Sequence, residues 1–203
     1  LMLTDAVNQI EIDGGEGVGI VTKPGLGLEI NKPAINPVPK KMISENLQES
    51  ASGLLESKGI RVVISVPKGK ELASKPDNPR LGIFEGISIL GTSGIVIPYS
   101  TASFAASIRQ NIDVALAMGE DTVVLTTGGR SEDFSKNVIK LSDHCFVKMG
   151  DFSGYTIELC SKKGIKKAYV VGFIGKLAKM LGIKIGGKKN IQKMLQCMIH
   201  RSE

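Results

Sequence analysis

The 203-residue sequence has no Trp, only 4% aromatic residues, two His, three Cys, and no apolar run near the roughly 18–20 residues of a membrane span. Each shortage removes a class of function. So few rings cannot supply the stacking platforms of single-strand nucleic-acid binders. Cys145, Cys160 and Cys197 are isolated and odd in number, with no C-x-x-C spacing, which argues against a disulfide framework or a zinc site and fits a reducing cytoplasm. Nothing in the sequence places a second metal ligand beside His144 or His200, so both read as structural and no metal site is expected. The opening Leu1-Met2-Leu3-Thr4-Asp5 lacks the basic and apolar regions of a targeting peptide, and a start on Leu leads to the expectation that the native N-terminus lies upstream.

What is present describes a soluble globular chain, 42% apolar and 23% charged, long enough for one large domain or two small ones. Its net charge of +6 is unevenly placed. From Lys162 onward there are eleven Lys or Arg and one acidic residue, so a basic end follows an acidic body. Such an end serves solubility, or it steers a polycarboxylate or nucleic-acid partner. Ten of those eleven are Lys and no nucleic-acid module is recognisable. The 24 Gly mark places where backbone turns tightly or meets something closely.

Along the chain, Ile10–Ile12 and Val18–Thr22 flank Asp13-Gly14-Gly15-Glu16-Gly17 and read as a hairpin. Residues 23–39 form an extended Pro-rich loop. The apolar spacing of Met42, Ile43, Leu47, Ala51, Leu54 and Leu55 predicts one amphipathic helix over 40–58. Strands follow at 61–66 and 83–90, then a helix over 101–118. Strands at 122–125, 145–148 and 168–171 alternate with helices at 132–141, 153–163 and 175–181, and a last helix is expected at 191–199. That alternation predicts a mainly parallel sheet with crossover helices. The expected architecture is an N-terminal α+β domain over 1–97 and a C-terminal Rossmann-like, three-layer α/β domain over 98–203.

Ligands of open parallel sheets bind beyond the C-terminal strand ends, where loops expose backbone N–H groups. Three glycine loops read as occupying that position. Thr127, Gly128, Gly129 and Ser131 are the first candidate ligand-binding set, with Ser131 as an expected helix cap and Arg130 able to grip a carboxylate in bidentate fashion. Gly91, Thr92, Ser93 and Gly94 are the second. Gly172-Phe173-Ile174-Gly175-Lys176 is the third, where Lys176 opposes the helix dipole and so invites an anionic ligand. A tight turn with a cap explains the same residues equally simply. No G-x-G-x-x-G, Walker A or G-x-S-x-G pattern occurs at these turns, which disfavours NAD, ATP and serine-hydrolase chemistry.

Five blocks, in order, resemble the CbiD family: Gly14–Leu26, Pro33–Pro39, Asn78–Val96, Thr126–Glu132 and Val171–Lys179. The family's upstream Thr-Thr-Gly-x-Cys-Ala segment and its later Asn-Thr-His segment are not in this sequence, so the chain is expected to omit segments. The resemblance implies a cobalt-precorrin-5B C1-methyltransferase of anaerobic cobalamin biosynthesis. S-adenosyl-L-methionine would be its cosubstrate, and cobalt would enter only as part of the corrinoid substrate. The glycine loops at 91–94 and 127–131 would hold the cosubstrate, and Arg130, Lys176 and Lys179 the macrocycle's carboxylates. Glu132, Asp133 or Asp151 would accept a proton or hold the cosubstrate's ammonium or ribose. Neither nucleic acid nor membrane is an expected partner, and a homo-oligomer is left open. The rival reading is a non-catalytic corrinoid- or nucleic-acid-binding protein that uses its basic end.

Overall fold

The computed structural model describes residues 1–73, 78–91 and 100–182. The chain divides into two compact units, Leu1–Phe104 and Ala105–Glu203. The expected boundary near residue 97 and the expected helix over 191–199 both lie outside the described residues.

The first unit contains, in order, β1 (Met2–Thr4), β2 (Ile10–Gly14), β3 (Ile20–Val21), α1 (Pro37–Ser50), α2 (Ser52–Leu55), β4 (Gly59–Ile64), α3 (Gly69–Leu72), α4 (Asn78–Leu81) and β5 (Ile83–Phe84). The expected hairpin does not form. β2 pairs with β4 in parallel, β1 pairs with β4 antiparallel, and β3 crosses to pair with β5. The ladder continues through Gly15 N–H to Ile64 O at 2.8 Å and Val66 N–H to Glu16 O at 2.7 Å. Gly17 then turns the chain away with φ +74°, a conformation open to glycine and strained for most other residues.

Two further expectations are revised here. The Pro-rich loop ends at Asn36, because Pro37 stands at the first turn of α1, where a missing N–H and a preset φ are both acceptable. The single helix expected over 40–58 is interrupted at Ala51, whose φ of −128° separates α1 from α2. The strand expected over 83–90 is short. Beyond β5 the chain continues through bridges of Ile87 with Val18 and of Ile89 with Ile35.

The second unit follows the expected alternation. Helix α5 (Thr101–Ala117) leads into it, followed by β6 (Thr122–Thr126), α6 (Gly129–Val138), a 3₁₀ turn at Asp143–Cys145, β7 (Phe146–Lys148), α7 (Ser153–Lys162), β8 (Lys167–Val171) and α8 (Ile174–Met180). The strands lie in the order β7-β6-β8, and both pairings are parallel. Val123, Val124 and Leu125 of the central strand are fully buried, each stabilising the fold by about 1.5–3 kcal/mol. Val123, Leu125, Val147 and Met149 join Ile108, Ile112 and Ala115 of α5 and Cys160 of α7 in one core cluster. The other sheet face carries Phe146, over whose ring Lys136 of α6 lies at 5.4 Å. Helices therefore cover both faces of a parallel sheet, as such sheets require.

Three glycines lock the first unit. A Cβ on Gly69 or on Gly86 would overlap the Gly17 carbonyl, and that same carbonyl accepts from Ile87 N–H at 3.0 Å. Gly69→Ala is expected to lower stability by about 1–3 kcal/mol, because the obstacle is backbone rather than a movable side chain. Gly53→Ala, where a Cβ meets nothing within 4 Å, is the control and should be neutral or slightly stabilising. Urea unfolding of the two variants checks this, and equal midpoints would refute it.

Candidate functional site

The parallel register brings the C-terminal ends of β7, β6 and β8 to one edge. Both ladders run one step past β6: Met149 N–H donates to Thr126 O at 2.8 Å, and Thr127 N–H donates to Val171 O at 3.1 Å. The loops after the three strands therefore leave side by side. Gly172 permits this closeness, since a Cβ there would stand 2.8 Å from Thr127 Cγ2 and 2.9 Å from its Oγ1.

The 127–131 loop is closed from within the helix. α6 begins at Gly129 rather than at Glu132, so Ser131 is its third residue and not the residue before it. Its hydroxyl accepts from Gly128 N–H at 3.0 Å and donates to Gly128 O at 2.7 Å, and Thr127 Oγ1 lies 3.4 Å from it. Cβ positions on Gly128 and Gly129 would meet nothing within 4 Å, so the helix start opens onto a bare backbone shelf. Arg130 projects from the first turn with its guanidinium 5.4 Å from the centroid of the Phe173 ring, which comes from the loop after β8. Phe173 is exposed, and although the sequence placed it in the third glycine loop, it gave this ring no role of its own.

Asp151 and Lys176 were nominated separately, one as a carboxylate for catalysis and one for substrate, yet they form a pair at 2.5 Å. The hydrogen bond from Lys176, with the charges of Lys176 and Lys179 behind it, holds the Asp151 carboxyl below the usual carboxylate range. Lys176 opposes its helix dipole because a carboxylate of the same unit offsets the cost. Lys179 is exposed.

Glu132 is turned inward. Its side chain is 5% exposed and 3.4 Å from Lys136, which reaches Asp143 at 2.9 Å and so ties α6 to the turn before β7. Burial pulls the Lys136 ammonium pKa down, but Asp143 and Glu132 together raise it above the ordinary lysine value. Asp133, the next residue, is exposed. Of the three nominated carboxylates, Asp133 and Asp151 face solvent. Gly91 belongs to the first unit, apart from the parallel sheet of the second, and follows only isolated bridges, those of Ile87 with Val18 and of Ile89 with Ile35; Thr92, Ser93 and Gly94 lie outside the described residues.

The basic end is less of a patch than its charge implies. Lys162, Lys163, Lys166 and Lys176 each have a carboxylate partner in Glu158, Asp113, Asp121 and Asp151, and Lys167 lies over the Tyr169 ring. His144 is not isolated either: Glu120 and Cys145 stand beside it, although 24 residues separate Glu120 from His144 in sequence.

The CbiD family model matches residues 2–98. The chain is 53% identical over 172 residues to the cobalt-precorrin-5B C(1)-methyltransferase of Rubrobacter xylanophilus, covering 84% of this chain and 44% of that protein. It is 53% identical to the protein of the same name from Priestia megaterium, covering 84% and 47%. With the Dechloromonas aromatica protein of that name it shares 51% identity over 180 residues, 88% of this chain and 46% of that one. The chain spans about half the length of the curated relatives it matches. A crystal structure described as cobalamin biosynthesis protein (cbiD) from Archaeoglobus fulgidus aligns over 93% of this chain and 57% of its own, at 24% identity and a TM-score of 0.36.

The Asp151–Lys176 pair generates a pH prediction. Its folded-state carboxyl pKa is depressed, so its contribution is present above the unfolded value and is lost as pH falls through the folded value. Lys176→Met should move the Asp151 carboxyl back up toward the ordinary range in an NMR pH titration. An unchanged titration would mean that the pair does not persist in solution.

Proposed function

This chain belongs to the CbiD family, and from that premise we propose that it acts as an S-adenosyl-L-methionine-dependent methyltransferase on C-1 of cobalt-precorrin-5B, giving cobalt-precorrin-6A in the cytoplasm. The observation that carries the reading is identity of about half the residues to proteins bearing that name, over 172 of the 203 residues, a stretch too long to miss the 127–132 loop. The second unit is read as a Rossmann-like domain, with helices on both faces of a parallel sheet and candidate ligand groups at its C-terminal edge.

The open start of α6 fits a small ligand with a carboxylate. Gly128 and Gly129 leave the backbone uncovered, and the first N–H groups of a ten-residue helix favour an anion there. Bound there, S-adenosylmethionine supplies a methyl group already activated on sulfonium, so no protein nucleophile is required. The chain's part is orientation, which on its own lowers such barriers substantially. Thr127 and Ser131 hold the loop in shape, and Arg130, steadied by Phe173, presents a fork suited to a carboxylate of the cosubstrate or the macrocycle. Lys179 adds positive charge at the same end of the sheet for a substrate rich in acetate and propionate groups, and Lys176 can join it when a substrate carboxylate takes the place of Asp151. Asp133 is the solvent-facing carboxylate available to an ammonium or to a proton released on methylation, whereas Asp151 is engaged by Lys176. The side chain of Glu132 is assigned to holding α6 in place through Lys136.

Isothermal calorimetry of the full-length protein with S-adenosylhomocysteine is the direct test, with saturable binding expected. Arg130→Ala should weaken cosubstrate or corrinoid binding by about tenfold to a hundredfold, the worth of a charged hydrogen bond, while circular dichroism is unchanged. Absence of binding at high micromolar concentration would count against the proposal.

A further inference from the structure

At the opposite edge of the same sheet, about 16 Å away along a five-residue strand, lies a cluster that the proposed methyl transfer does not use. Glu120 sits in the turn between α5 and β6, and His144 and Cys145 end the 3₁₀ turn that leads into β7. One ligand atom from each residue falls within 4.8 Å of the others, and His144 Nε2 is 3.3 Å from Glu120 Oε1. Cys145 is reduced and fully buried, His144 is buried, and the Glu120 side chain is about a third exposed.

We propose that Glu120, His144 and Cys145 form a Zn²⁺ site that clamps the α5–β6 turn to the start of β7. The donor set argues for the ion. A thiolate with an imidazole selects a borderline-soft d-block cation over Mg²⁺ or Ca²⁺, which take oxygen shells. Donors around a tetrahedral zinc ion stand about 3.3–3.7 Å apart, given bonds of roughly 2.0–2.3 Å. The His144–Glu120 pair already has that separation, and the remaining approach is on the order of 1 Å.

Charge also balances. As the metal enters, the Cys145 S–H gives its proton to water and an S–Zn bond forms; the thiolate and the Glu120 carboxylate then cancel the ion's two charges. A neutral assembly suits a buried place, where an unbalanced ion is costly. Three protein donors leave the fourth tetrahedral position to water on the exposed Glu120 side. Because binding releases a proton, affinity rises with pH.

The test uses Co²⁺ as a spectroscopic probe and Zn²⁺ as competitor on the full-length, chelator-treated protein. Expected is a thiolate-to-cobalt charge-transfer band in the near ultraviolet that saturates at one equivalent. Zn²⁺ should displace it, Cys197→Ser should retain it, and Cys145→Ser should lose it. Because Cys145 is buried and its variant could unfold, Glu120→Gln is the second arm. It should weaken Zn²⁺ binding by at least about tenfold and shrink the zinc-dependent rise in thermal midpoint, with circular dichroism unchanged. Absence of the band, survival of the band in Cys145→Ser, or equal Zn²⁺ affinity in Glu120→Gln would each overturn the proposal.

Discussion

The second unit depends on one strand. β6 is hydrogen-bonded on both edges and buried on both faces, so its centre is the apolar run Val123, Val124 and Leu125 and its neighbours must match its register. Once that register is set, the positions of the strand ends follow. Thr127, Met149 and Gly172 emerge side by side because the ladders extend one step beyond the strand, and the loops have no freedom to separate. The proposed ligand site at one edge and the proposed zinc site at the other are thus consequences of a single pairing pattern. The two edges differ because the C-terminal one offers open backbone and charged side chains, whereas the N-terminal one gathers a thiol, an imidazole and a carboxylate.

The first unit depends on a constraint of a different kind. There, backbone packs directly against backbone, with the Gly17 carbonyl wedged against the α-carbons of Gly69 and Gly86. Glycine is required at Gly69 and Gly86 by space and at Gly17 by a positive φ as well. The same closeness explains why β2 and β3 are not a hairpin: the glycines divert the chain out of one sheet and into the next.

Charge shows how far composition can be carried. The basic end suggested a patch for an acidic partner, and the described part of it is largely neutralised in pairs, four lysines meeting four carboxylates of their own unit. Charge that remains available is local. Arg130 and Lys179 at the C-terminal edge matter to the proposed function more than the net balance of the chain.

The alternation of β-branched runs and amphipathic segments made the second unit legible from the sequence, because β6, β7 and β8 are short, apolar and bounded by polar turns. The Thr127–Ser131 and Gly172–Lys176 loops were legible for the same reason, since glycine directly after a strand marks a tight turn or a close approach of backbone. Other features had no local signature. Register decides pairings between residues distant in sequence, and so the chain alone could not show that Asp151 meets Lys176, that Phe173 backs Arg130, or that Glu132 turns inward to Lys136. Nor could it show that Gly91 belongs to the first unit, apart from the sheet of β6, β7 and β8, or that Glu120 reaches His144 and Cys145. Periodicity and glycine placement, being short-range properties of a chain, determined the α/β class and the candidate loops. The company each charged side chain keeps is long-range, and only the tertiary structure decided it.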